Sequence, residues 1–137
     1  MKKEKVHILP TNNTPEILLN PRGIIEIKGR AIEEYETDLP KQIMMWIDAY
    51  LLSPAESTEV TIALEYMNSY NSIIISSFLR KLSQVSQQSK KLVIKWYIEE
   101  DDDDLLERAK YISSTFNIPI EFILTDDVNS YNKKSQD

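Results

Sequence analysis

Between a strand-like run and a helical one, the 137-residue chain places four short polar side chains close together, Asn68, Ser69, Asn71 and Ser72, within "LEYMNSYNS". Two kinds of chemistry suit them. Their side-chain oxygens can accept hydrogen bonds from the unpaired N–H groups of a helix's first turn, and a serine hydroxyl can accept a phosphoryl group. A phosphate on Ser69 would sit beside a helix N-terminus, where free N–H groups and the macrodipole favour an anion. Capping needs one such side chain, and polar loops often have this composition, so the residues by themselves leave both uses open.

A second candidate is the acidic run Glu99–Asp104, "EEDDDD", at the expected C-terminal end of a strand, where α/β folds often bind ligands. A small Mg²⁺- or nucleotide-binding enzyme using these carboxylates is the catalytic alternative. The run lacks the loop glycine and ligand spacing of an EF-hand. Acidic groups at a helix start are stabilised by about 0.3–1 kcal/mol each, so helix initiation is the plainer use. His7 is the single histidine and has no acid or nucleophile in sequence register with it, so it is assigned a surface or strand role. Trp46, Phe78, Trp96, Tyr97 and Phe116 fall on periodic elements and read as core.

Composition narrows the function classes. The net charge is −6 with a sequence pI near 4.9, against the basic surface that nucleic-acid binding requires. Two glycines, Gly23 and Gly29, are too few for a glycine-rich phosphate loop. There is no cysteine, which removes disulfides and thiolate chemistry and suits a reducing compartment. The N-terminal apolar stretch is too short for a secretory signal, and no long uncharged apolar run exists, so a cytoplasmic protein with no membrane partner is expected.

The elements that must position these residues follow from periodicity. Residues 14–30 hold two apolar runs around "NPRG" and predict a β-hairpin turning at Asn20–Gly23. Asp38 and Pro40 open a helix carrying Leu39, Ile43, Trp46, Ile47 and Tyr50, ending near Ser53 and Pro54. Val60, Ile62, Leu64 and Tyr66 alternate with Thr61, Ala63, Glu65 and Met67 as in a strand. A helix beginning near Asn71 carries Ile75, Phe78, Leu79, Leu82 and Val85. "KLVIKWYI" predicts a central strand buried on both faces, Leu105, Ala109, Ile112 and Phe116 a third helix, and "IPIEFILT" a last strand at the sheet edge because of Pro119. The fold class is α/β: one domain over residues 1–125, an N-terminal hairpin followed by alternating helices and strands in a mixed sheet with the later strands parallel. Residues 126–137 read as a flexible tail.

Along "TPEILLNPRGIIEIKGRAIEEY", "MMWIDAYL", "LEYMNSYNSIIISSFL", "VIKWYIEEDDDDLLERA" and "IPIEFI" the chain resembles the SiaC-type regulatory phosphoproteins, bacterial proteins similar in architecture to anti-sigma-factor antagonists. That family carries a Tyr, an apolar residue, Asn and a phosphorylatable Thr or Ser opening a helix. Tyr66, Met67, Asn68 and Ser69 match in order, so the resemblance implies that Ser69 is the phosphoacceptor, with Ser72 the acceptor if the register shifts. Ser69 stands for the usual Thr, and Tyr70 and Asn71 stand where small hydroxyl residues are common. The resemblance further implies a switch without catalytic activity or cofactor. A partner serine/threonine kinase would modify it and a PP2C-type phosphatase restore it. The unmodified form would bind an effector through Asn68, Tyr70, Asn71 and Ser72, in one branch a diguanylate cyclase of cyclic-di-GMP signalling. An unregulated scaffold is the remaining alternative.

Overall fold

The computed structural model describes residues 4–129. Six strands form one sheet in the order of the chain: β1 (Val6–Ile8), β2 (Glu16–Asn20), β3 (Ile24–Ala31), β4 (Ser57–Met67), β5 (Lys91–Glu99) and β6 (Glu121–Thr125). β1, β2 and β3 pair antiparallel, and the pairs from β3 to β6 are parallel. Three helices make the parallel connections: α1 (Leu39–Leu52), α2 (Ser69–Leu82) and α3 (Asp103–Thr115). Each connection steps one strand in the same direction, so right-handed crossovers bring all three helices to one face of the sheet.

The core lies between that face and the helices. Ile17, Ile27, Ile62 and Trp96 run across four strands in register and are buried, as are Leu19, Ile25, Val60 and Ile94 beside them. From the helices, Ile43, Ile47, Ile75, Phe78, Leu79, Leu105, Ala109 and Ile112 close onto this layer. The opposite face carries ion pairs instead, including Glu26–Lys28 at 2.9 Å and Glu59–Lys95 at 3.3 Å. Glu59 also raises the Lys95 pKa, by hydrogen bonding and by its charge.

The expected hairpin is present and its turn is tight: the Gly23 N–H donates to the Asn20 carbonyl and the Arg22 N–H to Asn20 Oδ1. Gly23 has φ +101°, and its carbonyl accepts from the Glu59 N–H at 2.7 Å, so this turn also fixes the start of β4. The last strand is an edge, and Pro119 precedes it.

Four expectations change. β1 adds a strand before the hairpin, where three residues after a lysine-rich start have no period to detect; it pairs His7 with Leu18 and sets the His7 ring 2.7 Å from Glu16. β5 is fully buried only at Ile94, Trp96 and Ile98; Val93, Lys95 and Tyr97 are half-buried, since no helix covers their face. α2 begins at Ser69, two residues before Asn71, because Asn68 supplies the cap. Val128, in the expected tail, is fully buried, while residues 130–137 of that tail lie outside the described residues.

Gly23→Ala is expected to destabilise the protein by about 1–3 kcal/mol or more, since an alanine there must keep a positive φ and its methyl group meets the Ser57 carbonyl oxygen. A urea titration checks this as a lower midpoint with an unchanged slope.

Candidate functional site

The C-terminal ends of the parallel strands β3, β4 and β5 lie together, and α2 and α3 start there, the region where sheets of this type bind ligands. Local irregularity in β4 shapes it. Gly29 pairs with Leu64 but Arg30 with Tyr66, so Glu65 is an extra residue in its strand. A bulge reverses the alternation of side chains beyond it. Tyr66, expected to continue the buried row of Val60, Ile62 and Leu64, is instead 52% exposed, and Met67 is buried. The Tyr66 ring lies under the Arg30 guanidinium, 4.7 Å from centroid to Cζ, an arrangement stabilised by the ring's quadrupole.

Past the bulge the chain leaves the sheet in three bonds. The Asn68 N–H donates to the Ala31 carbonyl at 3.1 Å, the last link of β3 to β4. Arg108 Nη1, reaching from α3, donates to the Met67 carbonyl at 2.9 Å. Asn68 is extended at φ −83° and ψ 174°, and its Oδ1 accepts from the Asn71 N–H at 2.9 Å, which caps α2.

The cap divides the predicted site residues by role. Asn68 and Asn71 are occupied with structure: Asn71 Nδ2 donates to Asn68 Oδ1 at 2.7 Å and to the Glu33 carbonyl at 3.0 Å, holding the β3–α1 loop against the start of α2. Ser72 Oγ donates back to the Ser69 carbonyl at 2.8 Å, the helical back-bond common for serine. Ser69 is exposed in the first turn of α2, and its hydroxyl makes no hydrogen bond among the described residues. Tyr70 is exposed beside it. Of the two serines, Ser69 therefore presents the accessible and uncommitted oxygen.

The acidic run adjoins this site without forming a second one. Asp102 Oδ1 accepts from the Leu105 N–H at 3.1 Å and caps α3, with Asp103 and Asp104 in the first turn. Asp102 and Asp104 line a surface cleft with Ser69, Asn68, Tyr66 and Arg108. Among the described residues, no three His, Cys, Asp or Glu side chains converge as a metal would require. Sequence reasoning missed Arg108, which belongs to the exposed side of α3. Its only signal is topological, because neighbouring parallel crossovers bring the start of α3 beside the end of β4. An apolar pocket lined by Ile27, Ile43, Ile75 and Phe78 lies on the other side of Asn71, with the exposed Tyr35 and Tyr70 also on its lining.

The fold and the exposed serine define a small single-domain α/β protein with its polar junction at a strand-to-helix turn. The family model for SiaC family regulatory phosphoproteins matches residues 8–125, and the chain belongs to that family. The structure of apo-SiaC from Pseudomonas aeruginosa superimposes with a TM-score of 0.74 at 21% identity, covering 87% of this chain and 98% of that one. A chain in the crystal structure of the diguanylate cyclase SiaD in complex with its activator SiaC, from the same organism, gives 0.78 at 20% identity, covering 88% and 99%. An uncharacterised protein of Pseudomonas aeruginosa strain UCBPP-PA14 is 21% identical over 115 residues, 83% of this chain and 91% of its own length. No helix among the described residues is long and apolar enough to cross a membrane.

Asn68→Ala removes the cap and should cost about 1 kcal/mol of stability, whereas Ser72→Ala, which removes a back-bond, should stay within about 0.5 kcal/mol of wild type. Asn68→Ser should recover most of the loss. Urea unfolding of the three variants measures the difference.

Proposed function

We propose that this protein is a non-catalytic signalling switch whose state is the phosphorylation of Ser69. A partner serine/threonine kinase transfers the phosphoryl group from ATP to Ser69 Oγ, the hydroxyl proton is released, and a PP2C-type phosphatase hydrolyses the ester. The unmodified protein binds an effector through the exposed surface at Ser69, Tyr70 and the following turns of α2. The observation that carries this reading is the exposed, uncommitted Ser69 hydroxyl on a helix start already capped by Asn68. Membership of a family of regulatory phosphoproteins supports it. The effector is proposed to be a diguanylate cyclase, by analogy with the relative described as an activator of SiaD.

Control follows from electrostatics. Phosphorylation adds about −1.5 to −2 charge at neutral pH. In a close-packed interface that charge must lose its hydration, and an unpaired buried charge costs about 2–5 kcal/mol. Affinity should fall by roughly thirty-fold or more, since 1.4 kcal/mol is tenfold. The fold should persist, because an anion near a helix N-terminus interacts favourably with it.

Calorimetric titration of a diguanylate cyclase from the same organism tests the reading. Wild type and Ser69→Ala should bind alike, and phosphorylated protein and Ser69→Asp should bind at least thirty-fold more weakly. Ser69→Asp should keep its thermal transition. Equal affinities across the series would overturn the direction of control, and absence of binding by the unmodified protein would overturn the choice of effector.

A further inference from the structure

Arg108 lies where it can read the state of Ser69. Its guanidinium already reaches from α3 to the carbonyl of Met67, two residues before Ser69, and both side chains line the same cleft. That bond uses one of five guanidinium N–H groups. The remaining charged groups of the cleft are the Asp102 and Asp104 carboxylates. Asp102 is committed to the cap of α3, which holds its carboxylate in place. Arg30, on the β3 side, is held over the Tyr66 ring with Glu65 3.9 Å from its Nη1. Of the two cations in the last turn of α2, Arg80 stands over Phe116 at 4.5 Å and lines the α2–α3 groove with Arg108, Lys81 is paired with Asp48 at 2.9 Å, and neither lines the Ser69 cleft.

We infer that Arg108 is the receptor for the phosphate on Ser69, pairing with it across the cleft and so tying the first turn of α2 to α3. The inference rests on Ser69 being the phosphoacceptor. Among the described residues of the cleft, a phosphate dianion beside Asp102 and Asp104 has one cation to meet, Arg108, and a guanidinium presents paired N–H donors matched to phosphate oxygens. The contact changes what Arg108 offers elsewhere. In the unmodified protein its side chain also lines the groove between α2 and α3, beside Ser72, Glu107 and Tyr111. Pairing with the phosphate draws the guanidinium toward the Ser69 end, so modification alters the charge of that groove as well as the helix start.

The test is the second ionisation of phosphoserine, followed by ³¹P NMR across pH on full-length protein carrying phosphoserine installed at position 69 during synthesis. A phosphoserine ionises a second time near pH 6. A paired cation favours the dianion and lowers that value, whereas neighbouring carboxylates raise it. The phosphate of the otherwise wild-type protein should titrate about half a unit or more below that of Arg108→Gln. Arg108→Lys should fall between, keeping the charge without the fork, and Arg80→Gln should match wild type. Amide spectra of each variant establish that the fold is retained. Coincident titrations for wild type and Arg108→Gln would overturn the pairing, as would an equal upward shift in Arg80→Gln. Because the phosphoserine is installed, the result does not depend on a kinase. A failed pairing leaves the switch standing, and a failed effector titration leaves the pairing standing.

Discussion

The backbone at Met67 and Asn68, where β4 stops pairing, is the constraint on which the rest depends. Polar backbone groups at the end of a buried strand must find partners, and here they find them on three elements. Asn68 N–H goes to Ala31 in β3, the Met67 carbonyl to Arg108 in α3, and the Asn68 carbonyl to the Ser72 N–H in α2. The Asn68 side chain then takes the Asn71 N–H. With those groups satisfied locally, the Ser69 hydroxyl is left outside the hydrogen bonds of the described residues, although the Ser69 carbonyl accepts from Ser72 Oγ. A group added to that hydroxyl would withdraw no hydrogen bond that the fold uses.

The bulge at Glu65 prepares that arrangement. Had β4 kept its alternation, Tyr66 would continue the buried row and Met67 would face away from the core. The extra residue turns Met67 inward and Tyr66 outward, under Arg30. Beyond it, Asn71 secures the β3–α1 loop through the Glu33 carbonyl. One polar junction thus connects sheet, loop and both helix starts. That is a suitable place for a local charge to be felt by more than one element.

Much of the fold was legible from period alone. The hairpin turn, the three helices and the four longer strands after it follow from Asn20–Gly23, the spacing of Ile43, Ile47 and Tyr50, and the β-branched run of β5. Local patterns could not show β1, whose three residues depend on pairing with β2, nor the bulge, which is a relation between β3 and β4. The same limit applies to the site. Ser69 and its neighbours stand out as polar residues between apolar elements, but which of them cap and which remain free is decided by three-dimensional partners. Arg108 is 41 residues from the Met67 whose carbonyl it holds, on a helix whose pattern concerns only its own buried side. Val128 stands among polar residues, and its burial follows from packing no local pattern conveys.

The proposed switch rests on Ser69 as the phosphoacceptor. Phosphopeptide mapping of the protein purified from its own cells addresses it most directly, by fragmenting the peptide that contains both Ser69 and Ser72. A phosphate is expected on Ser69 that disappears in Ser69→Ala and persists in Ser72→Ala. A phosphate found on Ser72, or a protein that stays unmodified when its cognate kinase is active, would contradict it.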